Sequence, residues 1–163
     1  MIALKDVLRM HGKVWALRDV LGDKWPTPDT ADSLAYAVTE VGEAIDADLR
    51  NRRPNDARNN HRNVSVPHEL AQAVMMLLTA LGREWDGSGF DYAKIAPFRN
   101  NGSLIYIMYL VSVASMEENT ENWHAWIRNA WTYNAIDAID VYCVDGVERY
   151  LDEVLAQTQE KWG

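Results

Sequence analysis

Cysteine is almost missing from this chain. Cys143 is the single one among 163 residues, so there is no internal disulfide and no thiolate zinc cluster. It sits in the apolar run "AIDVYCV", a setting for buried packing rather than for a nucleophile. Glycine and proline are scarce too, nine and five, and no low-complexity stretch interrupts the chain. Long hydrophobic runs are absent. The longest, "LIYIMYLV" at 104–111, is too short to span a bilayer. "MIALKDVLRM" carries charges among its apolar residues and has no small-residue cleavage site, unlike a targeting peptide. A cytoplasmic protein with no membrane partner is the expectation. Basic charge is in deficit, 16 Lys and Arg against 24 Asp and Glu, for a net -8. That excludes a general nucleic-acid coat, because phosphate neutralisation needs a basic surface. It leaves room for a small phosphate ligand held by a few local cations and a metal.

What is present is helical periodicity. The spacing of apolar residues predicts helices over about 2–21, 31–50, 66–84, 103–118, 121–144 and 146–161. Gly22 stops the first, and Asp29 or Thr30 caps the second. Ser65 precedes the third, with Pro67 tolerated in its first turn. "DGSGFDYAKIAPFRNNGS" reads as a long connection and as the natural midpoint. No strand pattern with hairpin turns is visible. The expected class is therefore all-α, a bundle of about six helices. Residues 1–86 form a first half and 87–163 a second half packed on it in one compact domain.

Carboxylates carry the chemical interest. "TEVGEAIDADLR" at 39–50 sets Glu40 and Glu43 three positions apart on the second helix, on one face with Tyr36 and Ala47. Leu34, Val38, Val41, Ile45 and Leu49 form an apolar stripe almost opposite, so alone this is an amphipathic helix with a wet acidic side. The third helix changes that reading. "ELAQAVMMLLTALG" is apolar nearly all round, which predicts burial on every face. Glu69 and Gln72 are the polar residues of its first turns, and a carboxylate in such a core is costly without a cation or hydrogen bonds. Antiparallel packing of the two helices lets Glu40 and Glu43 face Glu69. Three ionised carboxylates converge only with a metal or with protonation. Oxygen ligands alone suit Mg2+ or Mn2+. Asp46 and Asp48 diverge in direction from the glutamate pair and read as solvated charge.

An E-x-x-E on one helix, a polar loop, then E-x-x-D opening an apolar helix resembles the MazG-like all-α nucleoside triphosphate pyrophosphohydrolases. "EVGE" (Glu40, Glu43) matches the first motif, and "ELAQAVMMLLTAL" matches the second with Glu69 in its first position. "KWPTPDTADSLAYAVTEVGEA" is similar to the family's approach to the motif, and the likeness spans about residues 10–84. Gln72 departs from the pattern, standing where the family has a metal-binding aspartate; Thr39 stands where some members have a further glutamate. The resemblance implies a MazG-like core in which Glu40, Glu43 and Glu69 bind Mg2+, with Gln72 as a weakened fourth position. Mn2+ is the alternative metal. It implies the same three glutamates as the catalytic set, and cleavage of an NTP or dNTP to monophosphate and pyrophosphate. It also implies a homodimer or higher oligomer.

Cations and aromatics extend the picture. Arg50, Arg52, Arg53, Arg58 and Arg62 crowd into the segment after the acidic helix. Arginine forks suit phosphate oxygens, and Arg50, Arg53, Arg58 and Arg62 are candidate phosphate ligands. A flexible solvated loop is the equal alternative. Trp25 stands where the family places the aromatic side of its base pocket; nucleobase stacking and core packing are both open to it. Trp123, Trp126 and Trp131 read as core or interface, and His68 as a surface residue of the third helix's first turn. Asp137 and Asp140 repeat the three-residue spacing within "WTYNAIDAIDVYCV". One reading makes the second half a degenerate tandem copy, a pseudo-dimer with a second site; the other makes it ordinary extra helices whose acids bond to neighbouring Trp or Tyr. A rival to the enzyme is a catalytically impaired nucleotide-binding or protein-interaction module that kept the fold. The blandest alternative is a structural bundle with solvent-facing acids.

Overall fold

The computed structural model describes residues 1–53, 65–95, 103–116 and 122–163. Among them are seven α-helices and no strand: α1 (Leu4–Leu21), α2 (Thr30–Asn51), α3 (Val66–Ala80), α4 (Phe90–Ile95), α5 (Leu104–Met116), α6 (Asn122–Tyr142) and α7 (Glu148–Trp162), with a 3-10 turn at Gly22–Lys24. The all-α class expected from periodicity is the observed one. No described helix is long and apolar enough to cross a membrane.

α3 is the centre. Twelve of its fifteen residues are buried, and α1, α2, α6 and α7 all pack on it. Its start follows from local chemistry. Ser65 caps it by accepting from the His68 amide at 3.2 Å, and Pro67 lies in the first turn, where its missing N–H costs nothing. Its end falls four residues short of the expected 84. The helix stops at Ala80 because Gly82 takes a left-handed φ of 86°, and its amide bonds back to the Thr79 carbonyl.

α2 runs antiparallel to α3, as the Thr30 hydroxyl donating to the Ala80 carbonyl at 3.5 Å shows. Asp29 caps it, accepting from the Asp32 amide at 2.8 Å. The buried stripe of α2 differs from the expected one. Leu34, Ala37, Val41, Ala44 and Ala47 are buried, Val38 and Ile45 are partly buried, and Leu49 is 46% exposed. Three alanines carry this seam, and their small side chains allow close approach of the two helices. The rotation of the stripe moves Glu40 from an outer face to the rim of the α2–α3 contact.

The midpoint connection holds the short α4, which packs on α6. α5 covers the other flank of α2 and packs on α6. One contiguous apolar core runs from Val7 on α1 to Val154 on α7, through residues of both halves. Ion pairs of Arg9 and Lys13 with Glu148 tie α1 to α7 along the surface, holding the Glu148 carboxyl down at about 2.

Candidate acidic site

Tyr36, Glu40, Glu43, Ala47 and Arg50 follow one another at three- and four-residue steps, so they line one side of α2. Across from them, the first turns of α3 present Glu69 and Gln72. Glu40, Glu43 and Glu69 each bring one carboxylate oxygen to within 4.8 Å of the others. Glu43 is exposed, Glu40 half-buried and Glu69 buried, so the group sits at the lip of the helix pair rather than inside it. The Oε2 of Glu40 is shielded from solvent and has no hydrogen-bond partner.

The electrostatics follow from that geometry. Burial first, then the charges of Glu43 and Glu69 and a hydrogen bond to Glu69, push the Glu40 carboxyl up to about 7. Burial and Glu43 also raise Glu69, while its bond with Glu40 and the charges of Arg50 and His68 oppose the rise. Glu69 further lies in the first turn of α3, where the helix dipole favours an anion. Gln72 donates its amide nitrogen to Glu69 Oε2 at 3.1 Å. Gln72 is thus a neutral donor to the cluster.

Oxygen donors in this arrangement fit a hard divalent cation. Octahedral Mg2+ holds its oxygens at about 2.1 Å, hence about 4.2 Å apart at most across the ion. Three oxygens already within 4.8 Å need only small side-chain adjustments. The orphaned Glu40 oxygen is the atom such an ion would satisfy.

Of the candidate phosphate ligands, Arg50 is brought to the cluster. Its side chain is 13% exposed, its charge acts on Glu69, and its Nε meets Asp46 Oδ2 at 3.1 Å. Arg53 follows the end of α2 and is exposed, with its amide on the Arg50 carbonyl. Arg58 and Arg62 lie outside the described residues. Asp46 and Asp48 pair with Arg50 and Arg52 one turn on.

Asp137 and Asp140 are placed otherwise. Asp137 is buried and accepts from the Ile2 amide at 2.6 Å. Asp140 accepts from the Val147 amide at 2.9 Å, just ahead of α7. Both therefore accept from backbone amides. Among the described residues only Glu40, Glu43 and Glu69 form a close group of potential metal ligands. Trp126 packs on Tyr92 and Trp131 on Tyr109. The imidazole of His68 bridges Ser65 and Glu153 and packs edge-on against Tyr150.

Trp25 is half-buried, and its ring lies 3.9 Å under the guanidinium of Arg18. Arg18 did not stand out in the sequence, although a signal was there: Val7, His11, Val14, Arg18 and Leu21 form a single stripe on α1, and the stripe is buried. Arg18 is 3% exposed, and desolvation lowers its guanidinium to about 10.

No protein-family model, no curated protein and no solved structure matches this chain.

Proposed function

We propose that the chain is a metal-dependent nucleotide pyrophosphohydrolase of MazG-like type, cleaving an NTP or dNTP to monophosphate and pyrophosphate. One observation carries the reading: Glu40, Glu43 and Glu69, the glutamates of the E-x-x-E and E-L-x-x motifs, converge within 4.8 Å with a buried, unpartnered Glu40 oxygen. Glu40, Glu43 and Glu69 would hold Mg2+ or Mn2+, which when bound supplies charge neutralisation of the phosphates. One of the glutamates takes the proton of the water that attacks the α-phosphorus. The bond from that phosphorus to the bridging oxygen breaks, and the oxygen leaves with pyrophosphate. Arg50, already beside the cluster, meets phosphate charge on the same side of α2.

The test is pyrophosphate release from a panel of ribo- and deoxynucleoside triphosphates with Mg2+. Activity that disappears in Glu43→Gln is expected. No release above that variant, with any nucleotide, overturns the proposal. A second reading, a nucleotide-binding module without turnover, is favoured by one fact: Gln72 supplies an amide donor instead of a fourth anionic ligand. It predicts triphosphate binding with no pyrophosphate.

A further inference from the structure

Glu69 is the buried member of the acidic group, and it stands in the first turn of α3. A first turn has no earlier turn to receive its amides. The His68 and Glu69 amides both turn back to the Ser65 carbonyl, at 3.1 and 3.3 Å, and Pro67 has no amide hydrogen. Burial and the charge of Glu43 both work against an anionic Glu69. A ligand under that load has to be held from outside its own turn.

The hold comes from the far end of the chain. His68 Nε2 bonds Oε2 of Glu153 on α7, 85 positions later. A carboxylate only accepts, so Nε2 carries the hydrogen and donates it. His68 Nδ1 meets the Ser65 hydroxyl, which also accepts from the His68 amide at 3.2 Å. The imidazole stands edge-on to Tyr150, with centroids 5.2 Å apart. The other oxygen of Glu153 faces Arg149 Nε at 3.7 Å. Glu153, His68 and Ser65 thus form one chain of contacts from α7 to the cap of α3. Successive helical residues are about 100° apart, so His68 and Leu70 flank Glu69 on its two sides. Leu70 is fully buried, whereas His68 is partly exposed. Core packing secures one flank of Glu69, and α7 secures the other. A partly exposed ion pair contributes little to stability, so the value of this one lies in the geometry it sets.

We propose that Glu153, acting through His68, is a positioning residue for the metal ligand Glu69. The inference rests on the metal-dependent reading above and adds to the site a part carried by α7. Contacts that orient a ligand from behind govern metal affinity nearly as the ligands themselves do.

Two substitutions of Glu153 separate geometry from charge. Glu153→Gln keeps an oxygen that accepts from the imidazole and drops the charge; Glu153→Ala drops both. Glu153 is partly exposed, so both variants keep the fold. Hydrogen exchange in EDTA reads the hold without metal. The His68 and Glu69 amides are expected to exchange about 2- to 10-fold faster in Glu153→Ala, the scale of one hydrogen bond, and at the wild-type rate in Glu153→Gln. Calorimetry with Mn2+ is expected to show about tenfold weaker binding in Glu153→Ala and wild-type binding in Glu153→Gln. In a His68→Phe background, which keeps a ring against Tyr150, Glu153→Ala has no further effect. Unchanged exchange, or equal Mn2+ affinity in wild type and Glu153→Ala, overturns the proposal. Equal weakening in both Glu153 variants also overturns it, because charge alone then explains the loss. A further loss in the His68→Phe background overturns the route through His68. No Mn2+ binding by the wild-type chain sinks the metal reading and this role with it. Mn2+ binding that ignores Glu153 sinks the positioning role alone.

Discussion

The side-chain amide of Gln72 donates to Glu69 across one turn of α3, at 3.1 Å. A neutral donor on a carboxylate favours its ionised form. The neighbouring carboxyl, Glu40, is pushed up to about 7, chiefly by burial, and burial raises Glu69 as well. In the metal-free cluster, burial and mutual repulsion thus favour protonation of both Glu40 and Glu69.

A cation that binds this group stabilises the folded chain by mass action. At a hundred times its Kd, Mg2+ adds about 2.7 kcal/mol. For a chain of this size the melting temperature rises roughly 5–11 °C. Scanning fluorimetry with Mg2+ and Mn2+ measures the rise, and Glu40→Gln reduces it. An unchanged melting temperature in the wild-type protein would make the three glutamates an acidic rim and nothing more.

Gln72→Asp exchanges the donor for a fourth carboxylate. Metal affinity is expected to increase on the order of tenfold, the scale on which changes around a coordination sphere act. Without metal the same variant is less stable than wild type, because a further carboxylate joins a cluster in which burial and repulsion already disfavour charge. Isothermal titration with Mn2+ decides it. Equal affinity would confine Gln72 to holding Glu69.

The pH dependence has a definite sign. Glu40 keeps its proton to about 7 in the folded chain, against 4.5 ordinarily. The stability from this group is therefore complete below pH about 4.5 and is lost as pH rises through about 7. In EDTA, the melting temperature falls over that interval. Glu40→Gln, neutral throughout, falls less, and Glu69, whose carboxyl is also raised, contributes to the slope that remains. Identical slopes in the two proteins would contradict the assignment.

Ala44 is fully buried in the seam between α2 and α3. Ala44→Leu overfills it, costing about 1–3 kcal/mol, or roughly 2–12 °C. It also lifts Glu40 and Glu43 away from Glu69, so the metal-induced rise in melting temperature shrinks. Ala35→Leu, on the exposed side of α2, changes stability by no more than about 0.5 kcal/mol. Denaturant unfolding of the pair, with and without Mg2+, checks both effects.

How far the fold could be read from the chain depends on residue type. α3 was legible because Leu70, Val74, Leu77 and Leu78 leave it no wet side, and Glu69 then had to be a buried acid at a helix start. The inward side of α2 was misplaced because alanine carries little hydropathy. Leu49 outweighed Ala44 and Ala47 in the pattern, but it is the alanines that are buried. α4 escaped notice because its six residues give fewer than two turns of periodicity. Arg18 was passed over because a charged residue is ordinarily exposed. Only its register with Val7, Val14 and Leu21 placed it inside. The pairing of Asp137 with the Ile2 amide joins residues 135 positions apart, beyond any local pattern.

The enclosure of α3 makes the two walls of the acidic site unequal. Glu69 and Gln72 stand on a helix held by four others, whereas Glu40 and Glu43 ride on α2, which keeps Ala35, Tyr36 and Thr39 free to solvent. The adjustable side of the site is therefore a side chain and not a helix: Glu69 is fixed in the core, and Glu43, exposed on α2, is the ligand with room to follow a bound ion.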